Sequence, residues 1–305
     1  SFDNQIIIQF LLANLNIKEL PIPTYYGDEI SYVNGFKYAF RVFTSNLRAK
    51  LQTFGIFYDK KYDLNDTNNP NYILKDNFDS PHSRTLKNIA ESSKVLDLGC
   101  NDLSVSKILK NKKNCIVTAV DKSENLDHKD SVDSYYHFDL DNGLPELNYN
   151  DFDFILLLDV IEHLKNPENF MTELKRKTDK NSKVRIIIST PNIGFIIIRF
   201  MLLFGSFNYG KRGILDKTHT RLFTFSSFKN LITQSGFRLI RSSGIPAPLP
   251  LVFGNNFFGN FLMKLNRFLI LLSKNIFSYQ IYCEIKPLTS LELLLEQAKS
   301  KGNDE

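Results

Sequence analysis

The chain has 305 residues, 43% of them hydrophobic and 23% charged, with a net charge of +5. That is enough for a full-sized core in one large or two small domains, and it excludes a disordered chain. The basic residues are scattered, with a dense spot only at Asn111-Lys112-Lys113-Asn114, which argues against a nucleic-acid partner. Cys100, Cys115 and Cys283 are odd in number and lack metal-ligand spacing, as expected of free thiols in a reducing cytoplasm.

In chain order, the start shows no secretory signal, and Ser1 without Met points to a trimmed or truncated chain. Ile6 to Leu12 is apolar enough for a helix or a strand. ELPIPTYYGDE, Glu19 to Glu29, is an extended, proline-pinned segment ending in a turn. Ser31 to Phe54 reads as an amphipathic helix, with Phe36, Phe40, Phe43 and Leu47 three to four residues apart. These elements form a mainly helical N-terminal extension, residues 1–62. LNDTNNPN, Leu64 to Asn71, lies in a polar linker over 63–79.

From residue 80 strands and helices alternate. Strands are expected at Lys94–Leu98, Cys115–Val120, Tyr135–Phe138, Phe152–Leu158, Val184–Ser189, Phe237–Arg241 and Phe277–Ile285, and the fourth is continuously apolar like a central parallel strand. Helices are expected at Leu103–Leu109, at Asn166–Thr178 with Pro167 in its first turn, and at Phe225–Ser235 with Gly236 ending it. The pattern predicts an α/β domain over 80–287, a doubly wound, mostly parallel, seven-stranded sheet, followed by a C-terminal helix and tail over 288–305. Two inserts interrupt it, at 192–220 and 246–276. The apolar run Ile193 to Phe204 is too short to span a membrane and is broken by Arg199. Asn255 to Phe277 reads as one helix with a broad apolar face. Because its basic residues are sparse, it is expected to cover a pocket or form a homodimer in preference to resting on a membrane surface as a peripheral contact.

In such folds ligands bind outside the carboxyl ends of the strands. Four of those ends carry an acid: Asp97, Asp121, Asp139 and Asp159. In VLDLGCNDL, Val95 to Leu103, Gly99 permits a sharp turn and a close approach of ligand to backbone. Asp121 stands where a carboxylate can accept from two ribose hydroxyls, and Asp139 where one can accept from an adenine amine. In DVIEHL, Asp159 to Leu164, a helical turn would put Asp159, Glu162 and His163 on one face. Three readings of that face stay open: a divalent metal site, a metal-free base at His163 with Glu162 orienting a substrate, and a polar pair capping the loop.

The stretches VLDLGC, AVDKSE, FDLDNGLPE, FDFILLLDVIEHL, IISTPNIG and TRLFTFSSFKNLITQSGF, in this order, resemble class I S-adenosylmethionine-dependent methyltransferases, above all the ubiquinone-biosynthesis-type O-methyltransferases and their sugar-modifying relatives. The resemblance covers residues 80–285 and implies a Rossmann-like methyltransferase fold. It implies S-adenosylmethionine held by Asp97, Leu98, Gly99, Cys100 and Asn101, by Asp121 and Lys122, by Asp139 and Leu140, and by Asp159. It also implies a metal option, Mg or another divalent ion on Asp159, Glu162, His163 and His219, the last being in THTRLF. In the family's glycine-rich loop two further glycines are usual; here Asn101, which tolerates positive φ, and Leu103 replace them. His82, in DSPHSR, and Arg221 are candidate substrate contacts, although His82 also reads as a surface histidine. Lys211 and Arg212 read as solvated, or as partners of a substrate anion.

The segments FDNQIIIQ and ELPIPTYYGDEISYVNGFKYAF resemble the final part of a family 2 glycosyltransferase, over residues 1–58 and without that family's acidic metal motif. Together the two resemblances imply cytoplasmic O-methylation of a sugar, glycolipid or surface-polysaccharide precursor, peripheral to a membrane or not. A non-catalytic scaffold and a small-RNA 2′-O-methyltransferase are the rival expectations.

Overall fold

A computed structural model describes residues 2–21, 23, 34–52, 58–63, 78–124, 131–178, 183–249, 256–289 and 292. The expected Pro-pinned segment past residue 23, the Leu64–Asn71 linker and the C-terminal helix beyond residue 292 lie outside them. Two units emerge: residues 1–71 with 206–217, and residues 72–205 with 218–305.

In the first unit, α1 (Phe2–Leu12) and α2 (Gly35–Gln52) pair, and a short 3₁₀ turn over Lys60–Tyr62 follows. Ile8, Ala49 and Tyr62 form its small core. The sequence periodicity of α2 is real, but its phenylalanine stripe is not buried. Phe36, Phe40 and Phe43 are exposed, while the small residues Ser45 and Ala49 face inward.

The second unit carries a seven-stranded sheet in the order β3-β2-β1-β4-β5-β7-β6. The strands are β1 (Lys94–Leu98), β2 (Ile116–Asp121), β3 (Ser134–His137), β4 (Phe154–Leu158), β5 (Arg185–Pro191), β6 (Phe237–Ile245) and β7 (Gln280–Pro287). Only β7 runs against its neighbours. The helices are α3 (Pro81–Asn88), α4 (Ser104–Lys113), α5 (Pro167–Lys177), α6 (Ile196–Leu203), α7 (Phe225–Gln234), α8 (Phe257–Leu272) and α9 (Lys274–Phe277). Ser80 starts α3 with a reciprocal capping box to Ser83, Asn166 caps α5, and Gly236 at φ 82° ends α7. This is the doubly wound, mostly parallel sheet the alternation predicted.

Period-two alternation splits the core between the two faces of the sheet. Leu96 and Leu98 join Phe170, Leu174, Phe228 and Ile232 on one face. Val95 joins Leu103, Val105 and Leu109 on the other. Asp97 shares the parity of Val95, so its carboxyl is turned toward α4. The single helix expected over Asn255–Phe277 is instead two, because Ser273 adopts an extended conformation (φ −155°, ψ 99°) between α8 and α9. Phe277 therefore closes a helix and does not begin the last strand. No helix among the described residues is long and apolar enough to cross a membrane.

Candidate functional site

The strand order reverses on the two sides of β1, between β2 and β4, so the crevice of the fold lies above the carboxyl ends of these strands. The loop leaving β1 fills it. Gly99, at φ 77°, donates its N–H to the Val120 carbonyl at 2.8 Å. A Cβ here would stand 2.5 Å from Val160 Cγ2, so only glycine lets the β1 loop approach the turn after β4. Asn101 at φ 48° and Leu103 at φ 61° keep the left-handed backbone at the two positions where further glycines are usual. Asn101 does so while donating its N–H to Asp121 Oδ2 at 2.9 Å. Leu103 does so with its side chain buried in the core, which offsets a backbone cost of about 1–2 kcal/mol.

Asp97 is 4% exposed and accepts from Ser106 Oγ at 2.6 Å. Burial pushes its carboxyl up to about 6, with the charges of Asp121 and Asp102 adding to the rise and the Ser106 hydrogen bond opposing it. Burial likewise raises the Cys100 thiol, away from the thiolate form that a nucleophile needs. Asp121 ends β2 and accepts from the Ser123 N–H and hydroxyl on its other oxygen. Beside it, the Lys122 carbonyl accepts from His137 Nε2 at 2.9 Å. Asp139 is exposed and caps a short 3₁₀ turn through the Asp141 N–H, over the buried Leu140.

The turn after β4 departs from the expected helix. Asp159 is itself left-handed, at φ 56°, and the chain then folds into a tight turn closed by the His163 N–H on the Val160 carbonyl at 3.0 Å. Helical spacing therefore does not hold at Asp159. Its carboxylate accepts from Ser189 Oγ at 2.6 Å and from Gln280 Nε2 at 2.8 Å, tying together the carboxyl-edge ends of β4, β5 and β7. Asp159 thus leaves the expected metal set. The other three members do meet: a carboxylate oxygen of Glu162 and ring nitrogens of His163 and His219 lie within 4.8 Å of one another. Glu162 is buried, and the two imidazoles stand edge to face with centroids 4.8 Å apart.

Thr220 builds this meeting. Its N–H donates to the Glu162 carbonyl at 2.8 Å and its hydroxyl to the Leu164 carbonyl at 2.6 Å, stitching THTRLF to DVIEHL. His163 Nδ1 lies 3.1 Å from the Thr218 carbonyl, so Nδ1 is the donor, and in the neutral ring the lone pair sits on Nε2. A carboxylate with two imidazoles suits a divalent transition metal; an imidazole with an available Nε2 also suits a general base.

The two substrate candidates fare differently. His82 is not a surface histidine: it is 1% exposed, in the first turn of α3. Arg221 is exposed and forms a two-pronged pair with Glu168 at 2.8 and 3.0 Å, so its guanidinium is already engaged. In the first unit Lys211 pairs with Asp63 at 2.6 Å. Sequence reasoning missed Ser106, Ser189, Gln280 and Thr220. Only Thr220 carried a signal, its place beside His219.

A family model described as a methyltransferase domain matches residues 72–242. No protein of curated function matches the chain in sequence. Among solved structures, an S-adenosylmethionine-dependent methyltransferase from Archaeoglobus fulgidus is 17% identical, with 67% of this chain and 90% of that one covered at a TM-score of 0.47. One from Mesorhizobium loti is 12% identical over 68% and 98%, TM-score 0.44. Phosphoethanolamine N-methyltransferase 2 from Haemonchus contortus, in complex with S-adenosyl-L-methionine, is 14% identical over 68% and 51%, TM-score 0.44.

Proposed function

The chain belongs to the methyltransferase-domain family, and on that footing we propose that it moves the methyl group of S-adenosylmethionine onto a hydroxyl of a sugar or glycolipid precursor. The observation that carries the oxygen acceptor is the Glu162–His163–His219 cluster at the rim of the crevice, one turn from Val160, which packs on Gly99. The resemblance of residues 1–58 to the end of a glycosyltransferase supports a sugar-bearing acceptor.

The donor set at the strand ends fits the cofactor by its chemistry. Buried Asp97 faces a cationic amine well, Asp121 suits a ribose diol, and exposed Asp139 suits an adenine amine. Bound there, S-adenosylmethionine supplies an electrophilic methyl on a sulfonium. His163 Nε2 would take the proton that the acceptor hydroxyl loses on methylation. Thr218 holds the imidazole in the tautomer this requires. Most of the acceleration comes from alignment of hydroxyl and methyl. The 4.8 Å grouping supports a second mode. Glu162, His163 and His219 would hold a divalent ion, whose charge lowers the pKa of the acceptor hydroxyl.

Calorimetric titration with S-adenosylhomocysteine, with and without Mn²⁺ or Mg²⁺, tests the reading. Micromolar affinity is expected, and its absence under every condition would leave a scaffold instead of an enzyme. His163→Ala is expected to keep that affinity within about twofold while turnover on a suitable acceptor falls about 10²-fold or more. Loss of binding in this variant would make His163 structural.

A further inference from the structure

The strand ends that carry the site also root an exposed apolar surface of the second unit. In register, Pro191 of β5 faces Gln280 of β7, and Gln280 faces Ile245 of β6. Everything between Ile245 and Gln280 therefore leaves and re-enters the sheet at the carboxyl edge, beside Asp159, on which Gln280 donates. Asn266 of α8 fastens the insert there. Its carbonyl oxygen accepts from the Ala247 N–H at 2.9 Å, and its amide donates to the Phe277 carbonyl at 2.9 Å.

With Asn266 holding one side of α8, the other side is open. Phe257, Phe261, Leu265, Phe268 and Leu272 recur at steps of four, four, three and four residues, and Leu271 lies beside them. All six are exposed, Phe257 at 89% and Leu271 at 83%, while Met263 and Gly259 occupy the buried side. Lys264 emerges within the apolar arc and Arg267 flanks it. Both line a cleft of about 910 Å³ that also includes Lys274, Arg84 and Phe268. Among the described residues the one acid lining that cleft, Asp79, is bound by Arg84 at 2.6 Å and faces Arg267 at 3.4 Å.

The surrounding sequence is one-sided in charge. From Lys217 to Cys283 the chain has no Asp or Glu, against eight Lys and Arg residues. The basic residues of α8 are few, as the sequence showed, and the acid that faces Arg267, Asp79, is shared with Arg84. A self-associating face would bring like charges together. An apolar arc with lysine at its centre, on a helix that carries no acid of its own, is the composition of an interfacial helix on an anionic bilayer.

We propose that α8 docks this enzyme on an anionic lipid surface, with its apolar arc in the acyl boundary and Lys264, Arg267 and Lys274 on lipid phosphates. This rests on the methyltransferase reading and deepens it. The acceptor reaches the crevice from the membrane plane, as a lipid-linked sugar would.

The test is co-sedimentation of the full chain with vesicles of phosphatidylcholine alone and of phosphatidylcholine mixed with phosphatidylglycerol. The chain is expected to pellet with the mixed vesicles and to stay largely in solution with the neutral ones. Lys264→Glu with Arg267→Glu is expected to weaken partitioning about tenfold or more, and Phe261→Ser with Leu271→Ser by a similar factor. All four residues are outside the core, and unchanged S-adenosylhomocysteine affinity certifies each variant as folded. Wild-type protein that ignores mixed vesicles overturns the proposal, as does equal pelleting of both double variants. A wild-type dimer in sedimentation velocity that Phe261→Ser with Leu271→Ser dissolves also overturns it, since a second copy would then cover the arc. Absent S-adenosylhomocysteine binding with intact vesicle binding would instead strike the methyltransferase reading.

Discussion

Gly99 and Asp97, two residues apart, carry opposite burdens. Gly99 has no room for a methyl group because Val160 occupies that place. Gly99→Ala is expected to destabilise the fold by about 2–3 kcal/mol, from the clash together with the positive φ, and to weaken S-adenosylhomocysteine binding. Adding Val160→Ala should restore part of the stability, since it removes the clash and not the backbone strain. Chemical denaturation of the two single variants and the double variant reads this directly. Asp97 is a buried acid whose pKa is raised from 3.8 to about 6 in the folded protein. The folded state binds the proton more tightly, so the stability this group contributes is complete below about pH 4 and is lost as pH rises through 6. Asp97→Asn, which mimics the neutral acid, should therefore gain about 2–3 kcal/mol over wild type at pH 7 and nothing at pH 4. On the proposed reading the same variant should also lose S-adenosylhomocysteine affinity at pH 7. A stability profile identical to wild type between pH 4 and 7 would refute this account.

At the scale of elements, the turn after β4 and the THTRLF segment meet through hydrogen bonds onto main-chain carbonyls. Thr220 holds two of them on side chain and backbone. Thr220→Val keeps the shape and removes the hydroxyl. It should cost about 1 kcal/mol of stability and lower kcat several-fold through misplacement of His163 and His219, while S-adenosylhomocysteine affinity stays as it was. A fall in affinity with unchanged kcat would contradict the assigned role. Much of this level was legible in the sequence. Short apolar runs alternating with helical stretches located β1, β2 and β4, and capping residues fixed α5 and α7 to within a residue or two. The acids at the strand ends were visible because parallel strands end where ligands bind. The departure at Asp159 was not visible. A left-handed aspartate is selected by Ser189 and Gln280, 30 and 121 residues away, and local spacing carries no trace of such partners. The break at Ser273 was hidden for a related reason: Asn266 captures the Phe277 carbonyl across it.

At the scale of the whole molecule, chain order and spatial grouping disagree. The sequence suggested an N-terminal extension ending near residue 62, yet residues 206–217 group with it. Lys211 pairs with Asp63, Lys217 Nζ lies 3.1 Å from the Tyr58 hydroxyl, and Gly210 sits against the Tyr58 ring. No pattern within 206–217 announces such partners, since each contact joins residues about 150 positions apart. The polypeptide consequently passes from one unit to the other three times, after Asn71, Gly205 and Lys217. A chain begun at Tyr72 would keep the sheet and the strand-end acids but leave the 206–217 loop without its anchors, directly before His219. Tyr58 and Asp63 thus hold Lys217 and Lys211 within the first unit. Domain shuffling that exchanged the front end alone would carry off half of a joint.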